Sequence, residues 1–287
     1  MIPTSIDGTD ITGATIDGTE VQEITVDGDV VFSASEPFNI EDATFQTSIN
    51  TQDQIPTGIA WNDDGTRLYE VGRFADGNFD GVDTLSQYSV SSPYDIATAT
   101  FQNVIDTQGD ATEAIAWNDD GTRLYEADRV AKRIYQSTVS TPFDISTASF
   151  QKSINTESET VRGIAWNDSG TRLYEVDSFF DDIFQIDVSS AYDIGTATYN
   201  NVSTPTQDGN PQDIAWNDDG TRLYEIGSTS DKIYQSSVST PYDLSTVTFQ
   251  TSINTQDTFP TGIAWNDDGT RLYEVGSDSD KIYQYTL

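Results

Sequence analysis

The chain contains neither cysteine nor histidine, and it is poor in basic residues. Without cysteine it can form no disulfide, no thiolate metal site and no cysteine nucleophile. Without histidine it lacks the commonest general base and metal ligand. Lys and Arg number 13 against 48 Asp and Glu, which gives a formal charge of −35. The chain therefore has little material for the basic face that nucleic acids or anionic membranes require.

Long hydrophobic runs are also missing, so the sequence predicts no membrane insertion. Residues 1–5 lack the basic and apolar regions of a secretion signal. Aromatic residues are plentiful, however, with 14 Tyr, 13 Phe and 5 Trp, whereas disordered acidic chains are poor in them. We expect a folded protein adapted to high salt, because about 1 M salt shortens the Debye length to ~3 Å and screens the self-repulsion. An ordinary acidic protein is the alternative.

A repeat organises most of the chain. The string I-A-W-N-D-[DS]-G-T-R-L-Y-E occurs five times, and its tryptophans are Trp61, Trp117, Trp166, Trp216 and Trp265. Each unit contains four short stretches rich in β-branched and aromatic residues, A (G-I-A-W-N), B (T-R-L-Y-E-V), C (K-I-Y-Q-x-x-V) and D (A-T-F-Q-x-S-I), with turn residues between them. Such units predict an all-β, five-bladed β-propeller with four-stranded blades.

The first D stretch, at residues 43–49, precedes the first A stretch, and the last unit stops after C. We therefore expect the N-terminal D strand to complete the last blade, which hides the edges that an open stack would expose. An open five-unit solenoid is the alternative. The propeller domain should span residues 36–287.

Residues 1–35 form a separate predicted module. Asp-Gly pairs flanked by β-branched residues recur every ten residues, at Asp7-Gly8, Asp17-Gly18 and Asp27-Gly28, which indicates β-hairpins. A lone meander of this length is marginally stable in water. We expect the module to serve attachment or oligomerisation through contacts with other proteins of an assembly.

The repeated runs D-G-T-R-L-Y and S-T-P-[YF]-D-[IL] resemble propeller repeats in structural proteins of tailed viruses. The resemblance covers residues 36–287, and the N-terminal segment resembles Asp-Gly hairpin modules at the starts of virion proteins. With the acidic composition, it implies a virus of halophilic archaea. The chain departs from the family where Glu follows Tyr in D-G-T-R-L-Y, a position that is often apolar.

The resemblance implies a non-enzymatic virion component, such as a fibre, spike or turret, that projects from the particle and binds the host surface through a glycan or an S-layer glycoprotein. It also implies assembly in the host cytoplasm and a homo-oligomer in the particle. A multivalent lectin with five inter-blade sugar sites is the first alternative. A glycoside hydrolase is the second, although it needs two carboxylates in unequal environments and no unique pair breaks the repeat.

Stretch B carries one Arg and one Glu in every unit. In a propeller these charges are enclosed between blades, so each carboxylate should be compensated. We expect a ring of Arg–Glu pairs; an acidic, cation-binding ring around the channel is the alternative. The ten residues are Arg67, Glu70, Arg123, Glu126, Arg172, Glu175, Arg222, Glu225, Arg271 and Glu274.

The two ends of the propeller should differ. Connections A–B and C–D lie at one end and are nearly identical in all units, whereas connections B–C and D–A lie at the other and vary. Aromatic and Arg residues on variable loops are typical of binding sites. The alternative is that the loop sequences vary without any function. The predicted binding face comprises Arg73, Phe74, Phe79, Arg129, Lys132, Arg133, Phe179, Phe180 and Phe259. Arg162, Lys232 and Lys281 map to the same end or its edge.

The first B–C connection alone is long. It contains Asp76, Asn78, Asp80, Val82 and Asp83, which follow the ligand spacing of a Ca²⁺ loop, D-x-[DN]-x-[DN]-G. The pattern departs at the twelfth position, where Gln87 replaces the usual Glu, and Asp83 could substitute. A plain acidic loop is the alternative.

Isothermal calorimetry separates these two interpretations. A Ca²⁺ loop predicts uptake of one Ca²⁺ per chain that Asp80→Ala abolishes, because the substitution removes a carboxylate ligand. Asp278→Ala, in another connection of the same face, is the matched control and should leave uptake unchanged. If wild-type protein takes up no Ca²⁺, or Asp80→Ala takes up as much, the loop is a plain acidic one.

Overall fold

The computed structural model describes residues 36–73 and 83–287 in full, and in the first 35 residues it describes the backbone of four strands. These are β1 (Thr15–Ile16), β2 (Thr19–Glu20), β3 (Glu23–Val26) and β4 (Asp29–Ser33). β1 pairs with β2 and β3 with β4, both antiparallel. The strands on either side of the second and third Asp-Gly pairs are therefore paired as the expected hairpins require. The three Asp-Gly pairs themselves lie outside the described residues.

Twenty further strands and five single-turn 3₁₀ helices follow. The strands are β5 (Thr44–Asn50), β6 (Ile55–Trp61), β7 (Arg67–Arg73), β8 (Asp83–Val90), β9 (Ala99–Asp106), β10 (Thr112–Trp117), β11 (Arg123–Asp128), β12 (Arg133–Val139), β13 (Ala148–Asn155), β14 (Val161–Trp166), β15 (Arg172–Asp177), β16 (Asp182–Val188), β17 (Ala197–Pro205), β18 (Pro211–Trp216), β19 (Arg222–Gly227), β20 (Lys232–Val238), β21 (Val247–Asn254), β22 (Pro260–Trp265), β23 (Arg271–Gly276) and β24 (Lys281–Thr286). The helices are η1 (Ile40–Asp42), η2 (Ile96–Thr98), η3 (Ile145–Thr147), η4 (Ile194–Thr196) and η5 (Leu244–Thr246). Among the described residues, no helix is long and apolar enough to cross a membrane.

The strands form five antiparallel blades. Blades 1 to 4 are β6–β9, β10–β13, β14–β17 and β18–β21, and blade 5 is β22, β23 and β24 completed by β5. Lys281 pairs with Asn50 and Thr286 with Thr44, so the N-terminal strand closes the ring as expected. The first strand of each blade contacts the first strands of both neighbours and lines the central channel. The five-bladed β-propeller is thereby confirmed.

The second strand of each blade is buried on both sides, because each blade packs between two others. In β7 the five central residues are buried, and Tyr69, Leu68 and Val71 are fully enclosed. The apolar core is accordingly divided into five clusters, each built from two adjacent blades. The alternating pattern of each strand thus supplies two interfaces rather than one core face.

A tyrosine from the second strand joins each blade to the next. Tyr125 of blade 2 donates its hydroxyl to the carbonyl oxygen of Tyr192, in the last connection of blade 3, at 2.5 Å. The ring of Trp166, also from blade 3, packs on Tyr125 with centroids 4.9 Å apart. The other four interfaces repeat this joint through Tyr69, Tyr174, Tyr224 and Tyr273. A tilted ring pair adds about 0.5–1.5 kcal/mol beyond its burial.

Glycine is required in the turn that contacts the accepting residue of this joint. Gly170 has φ +62°, a left-handed conformation that side chains disfavour. Its carbonyl accepts the backbone N–H of Tyr192 at 2.8 Å, and a Cβ on Gly170 would collide with the Tyr192 ring. The Asn-Asp-[Asp/Ser]-Gly-Thr turn is therefore fixed by both its φ and its packing.

The repeat offers a matched test of the joint. Tyr125→Phe leaves the carbonyl of Tyr192 without its hydroxyl donor, whereas Tyr174→Phe leaves the carbonyl of Tyr242 still bonded to Arg172 at 2.8 Å. We expect Tyr125→Phe to lose about 1 kcal/mol more unfolding free energy, because an unsatisfied buried acceptor costs about 1–3 kcal/mol. Denaturant unfolding of both variants measures the difference, and equal losses would contradict it.

Candidate functional site

The two ends of the channel have different surfaces. At one end, which we call the repeated face, the turn after each first strand meets the connection before each last strand. The hydrogen bond from Tyr94 N–H to the Gly65 carbonyl, 2.9 Å long, is an example. At the other end, the variable face, lie the connections that differ from blade to blade. The expected division into a uniform and a variable end is thus seen in the structure.

Five aspartates surround the channel on the repeated face. They line a cavity of about 480 Å³ and are Asp63, Asp119, Asp168, Asp218 and Asp267. Burial, together with the charges of neighbouring aspartates, raises the pKa of Asp63 and of Asp218 to about 6. A neutral carboxyl is favoured there because an ionised one would lose hydration beside like charges.

A tyrosine hydroxyl distinguishes three aspartates of this ring from the other two. Tyr192 of blade 3 donates to Asp119 of blade 2, and Tyr242 and Tyr94 act likewise on Asp168 and Asp267, where the bond lowers a pKa that burial raises. The equivalent residues facing Asp63 and Asp218 are Phe143 and Phe38, which carry no hydroxyl. These are the two aspartates with pKa values of about 6.

The second residue after Asn in each turn, Asp in four blades and Ser169 in blade 3, acts within the turn. Asp64 Oδ1 accepts the backbone N–H of Thr66 at 3.0 Å and the Asn62 side chain at 2.8 Å. The Thr66 hydroxyl bond is the main cause that lowers the pKa of Asp64. These contacts support the interpretation of the sequence as a turn.

The expected ring of Arg–Glu pairs is not formed. Residues three apart in a strand point to opposite sides, so Arg67 donates to the carbonyl of Phe143 in the next blade at 2.5 Å, while Glu70 accepts the backbone N–H of Asp53 at 2.8 Å. The other four glutamates accept from the equivalent loops, and the other four arginines donate to carbonyls of the next blade.

These glutamates lie on second strands and not on the channel wall, so the alternative of an acidic channel ring does not describe them either. Burial raises the pKa of Glu126, Glu225 and Glu274 to about 7 and that of Glu175 to about 8, and backbone N–H donors oppose the rise. The carboxyls therefore close the loops before the first strands by hydrogen bonds that need no cation.

On the variable face, four charged side chains from three blades meet at the channel. We call Arg73, Glu113, Arg129 and Arg162 the mouth cluster. Glu113 Oε1 accepts Arg129 Nε at 2.6 Å and lies 3.1 Å from Arg73 Nη2, while its Oε2 lies 3.0 Å from Arg162 Nη1. The Glu113 side chain is 5% exposed, whereas the three Arg side chains are 24–31% exposed.

A small cavity of about 120 Å³ opens beside the mouth cluster. Its walls include the exposed side chains of Ile55 and Phe259 and the polar side chains of Thr57, Gln212 and Thr261. Phe259 thus joins Arg73 and Arg129 from the predicted binding face at one site.

The other predicted face residues lie apart from this cavity. Lys132 pairs with Glu159, and Arg133 donates to the Ser153 hydroxyl at 2.7 Å. Phe179 and Phe180 form an edge-to-face pair with centroids 4.9 Å apart and are 67% and 54% exposed. Ser178, directly before this pair, accepts Arg162 Nε at 3.1 Å, so the pair borders the mouth cluster.

Phe74, Phe79 and the candidate Ca²⁺ ligands Asp76, Asn78, Asp80 and Val82 lie outside the described residues. Asp83 is described and is buried. Its Oδ2 accepts the Thr112 N–H at 2.6 Å and its Oδ1 lies 3.6 Å from Arg73 Nε, so this carboxylate faces the neighbouring blade. Across residues 36–73 and 83–287, no group of acids is arranged to hold a metal ion. The calcium loop stays a prediction.

Sequence reasoning missed Glu113 and did not place Arg162 in the site. The signal was a change of residue type at one position of the first strand, which reads Thr57, Glu113, Arg162, Gln212 and Thr261 around the ring. The next position departs from Gly or Ala in blade 4 alone, at Asp213, whose buried carboxyl has its pKa raised to about 8.

No protein family and no curated protein matches this sequence. Solved structures resemble it in fold. A functionally unknown protein from Desulfotomaculum acetoxidans has TM-score 0.51 and 14% identity over 81% of this chain and 68% of that one. The Cps50 (Swd1) β-propeller domain from Myceliophteria thermophila has TM-score 0.50 and 10% identity over 85% and 99%. These likenesses establish the propeller fold alone.

A candidate 6-phosphogluconolactonase from Bacteroides uniformis has TM-score 0.49 and 14% identity, over 77% of this chain. The chain spans 64% of that protein's length.

The aspartate ring gives a specific titration experiment. Phe143→Tyr should lower the pKa of Asp63 below its value of about 6, because the new hydroxyl donates to the ionised carboxylate. Phe38→Tyr should act likewise on Asp218. Carboxyl carbon chemical shifts followed against pH by NMR measure both values. Phe143→Tyr should leave the pKa of Asp218 unchanged, and Phe38→Tyr should leave that of Asp63 unchanged, so each variant controls for the other. A pKa change at the wrong aspartate, or at neither, would contradict the assignment.

Proposed function

We propose that this chain is a non-enzymatic component of a virus particle, whose propeller binds a cell-surface partner through its variable face. The mouth cluster is the observation that carries the proposal. It breaks the fivefold repeat, and its partly exposed Arg donors lie beside the exposed Phe259 side chain. Arg and aromatic residues dominate binding energy at interfaces.

Support for a binding role comes from the positions that differ between blades. Arg73 is the last residue of its second strand and Arg129 directly follows its own, at the position where blades 3 to 5 carry Ser178, Ser228 and Ser277. Since three blades close with Ser, folding does not require Arg there. The scarce bases are therefore placed where a partner can reach them.

The virion role is supported by the repeat motifs of residues 36–287 and by the paired Asp-Gly strands before them. We propose that residues 1–35 attach the propeller to other virion proteins, and that several copies on one particle add avidity. High-salt adaptation and assembly in the host cytoplasm belong to the same proposal.

An enzymatic role has weaker support. A glycoside hydrolase needs one acid and one base in different environments across a cleft. Among the described residues, the acids with raised pKa values mostly recur in every blade, as the second-strand glutamates do. The five second-strand glutamates share one buried environment closed by backbone donors, and this favours binding over hydrolysis.

A lectin with inter-blade sites is the second candidate, because a cavity of about 290 Å³ lies between blades 4 and 5. Its central amides are already engaged, since Gln235 accepts the Ile40 N–H at 3.0 Å and donates to Gln250 at 3.1 Å. This candidate predicts about five ligands per chain, whereas the variable face predicts one.

Labelled protein incubated at molar salt with intact cells that support the particle tests the leading proposal. We expect Phe179→Ala/Phe180→Ala to weaken cell binding at least about tenfold, because buried aromatic contacts contribute about 2 kcal/mol or more at interface centres.

Phe150→Ala/Phe249→Ala is the matched control, because it truncates two exposed Phe side chains of outermost strands. It should bind like the wild type. Absence of wild-type binding, or equal binding by both double variants, would contradict the proposal.

A further inference from the structure

We propose that the mouth cluster is a binding site for an acidic sugar, whose carboxylate or sulfate group is held by Arg129 and Arg162. The inference rests on the proposed function and names the ligand chemistry of its site. The shared chemistry is a single oxyanion carried on a sugar ring.

The cluster holds more positive charge than its own carboxylate requires. Three guanidinium groups surround Glu113, and a second acid, Asp83, lies 3.6 Å from Arg73. A buried carboxylate is compensated by one well-placed cation and further hydrogen bonds. In a chain with 13 bases and 48 acids, three arginines meet on one Glu, and within the described residues this leaves a local surplus of positive charge.

Two of the arginines keep donors available. A guanidinium has five N–H donors in a planar fork. Within the described part of the chain, Arg129 donates through its side chain only by Nε, to Glu113. Arg162 donates by Nε to Ser178 and by Nη1 to Glu113. The remaining terminal N–H groups are oriented by these bonds, which makes them a preorganised oxyanion site.

The side chains around the two arginines favour a sugar as the molecule that carries the oxyanion. Ile55 and Phe259 present exposed apolar surface on the same cavity wall. A sugar ring offers an apolar C–H face that packs on an aromatic ring, as well as polar edges. The cavity of about 120 Å³ corresponds to roughly four waters at about 30 Å³ each, so it takes the acidic group and one edge of the ring.

The charge of the whole chain offers an anion no long-range attraction, so the site must hold its ligand by contact. At −35 the protein repels polyanions at long range, but screening at molar salt confines electrostatics to about 3 Å. Direct Arg–oxyanion hydrogen bonds survive under those conditions because they act at contact.

Ligand-observed NMR titration at constant molar chloride tests the site with three probes: methyl glucuronoside, glucose 6-sulfate and the neutral methyl glucoside. We expect at least one acidic sugar to bind about tenfold or more tightly than the neutral one, and the tighter of the two identifies carboxylate or sulfate. Equal binding of the neutral sugar overturns the inference. So does tighter binding of N-acetyl-phenylalanine, which would indicate a peptide carboxylate.

Arg129→Ser and Arg162→Thr should each weaken the acidic sugar about tenfold. Both introduce the residue that other blades carry at the equivalent position, so we expect them to fold, and thermal unfolding verifies this. Arg129→Lys keeps the charge but loses the planar guanidinium with its paired N–H donors, so it should also weaken binding. Lys152→Thr, on the outermost strand of blade 2 and away from the cluster, should change affinity less than twofold. Unchanged affinity in the folded Arg129 and Arg162 variants overturns the assignment.

The cell-binding experiment separates this inference from the function on which it rests. If cells bind the wild-type protein and neither acidic sugar does, the ligand chemistry is wrong and the function stands. If acidic sugars bind as expected and cells do not, the site stands and the proposed cell-surface function fails.

Discussion

The inter-blade joint is the interaction on which the rest of the structure depends. A fully buried tyrosine of one blade donates to a carbonyl of the next blade and packs on its tryptophan. The accepting residue lies in the connection after the third strand, and its backbone N–H bonds the glycine carbonyl of the turn after the first strand. Each joint therefore also holds that turn in place. Five such joints, and the pairing of β24 with β5, close the ring.

The joint explains why one end of the propeller is uniform. The Asn-Asp-[Asp/Ser]-Gly-Thr turn must supply a left-handed glycine and a surface for an aromatic ring, so its sequence can change little. The opposite end carries no such requirement. Its connections are held by backbone N–H groups that second-strand glutamates and loop aspartates such as Asp208 accept, and the other side chains there can differ between blades.

The charge of the protein is organised by the same division. The buried glutamates are satisfied by backbone donors, and five arginines donate to carbonyls of neighbouring blades, so these arginines and glutamates do not pair with one another. The mouth cluster is different because its arginines bond a carboxylate and remain partly exposed. It concentrates positive charge at the channel in a chain that is otherwise acidic.

The sequence by itself determined the fold. Five Trp-Asn-Asp motifs, four β-rich stretches per unit and a permuted D stretch predicted the blades and their closure, because strand patterns and turn residues are local properties. The candidate site was predicted in part. Arg73, Arg129 and Phe259 came from variation between loops, but only the ring brings them to Glu113 and Arg162, which belong to different blades. Tertiary structure also decided the partners of Arg67 and Glu70, since strand alternation sends them to opposite sides and closure supplies the carbonyl and the N–H that they meet.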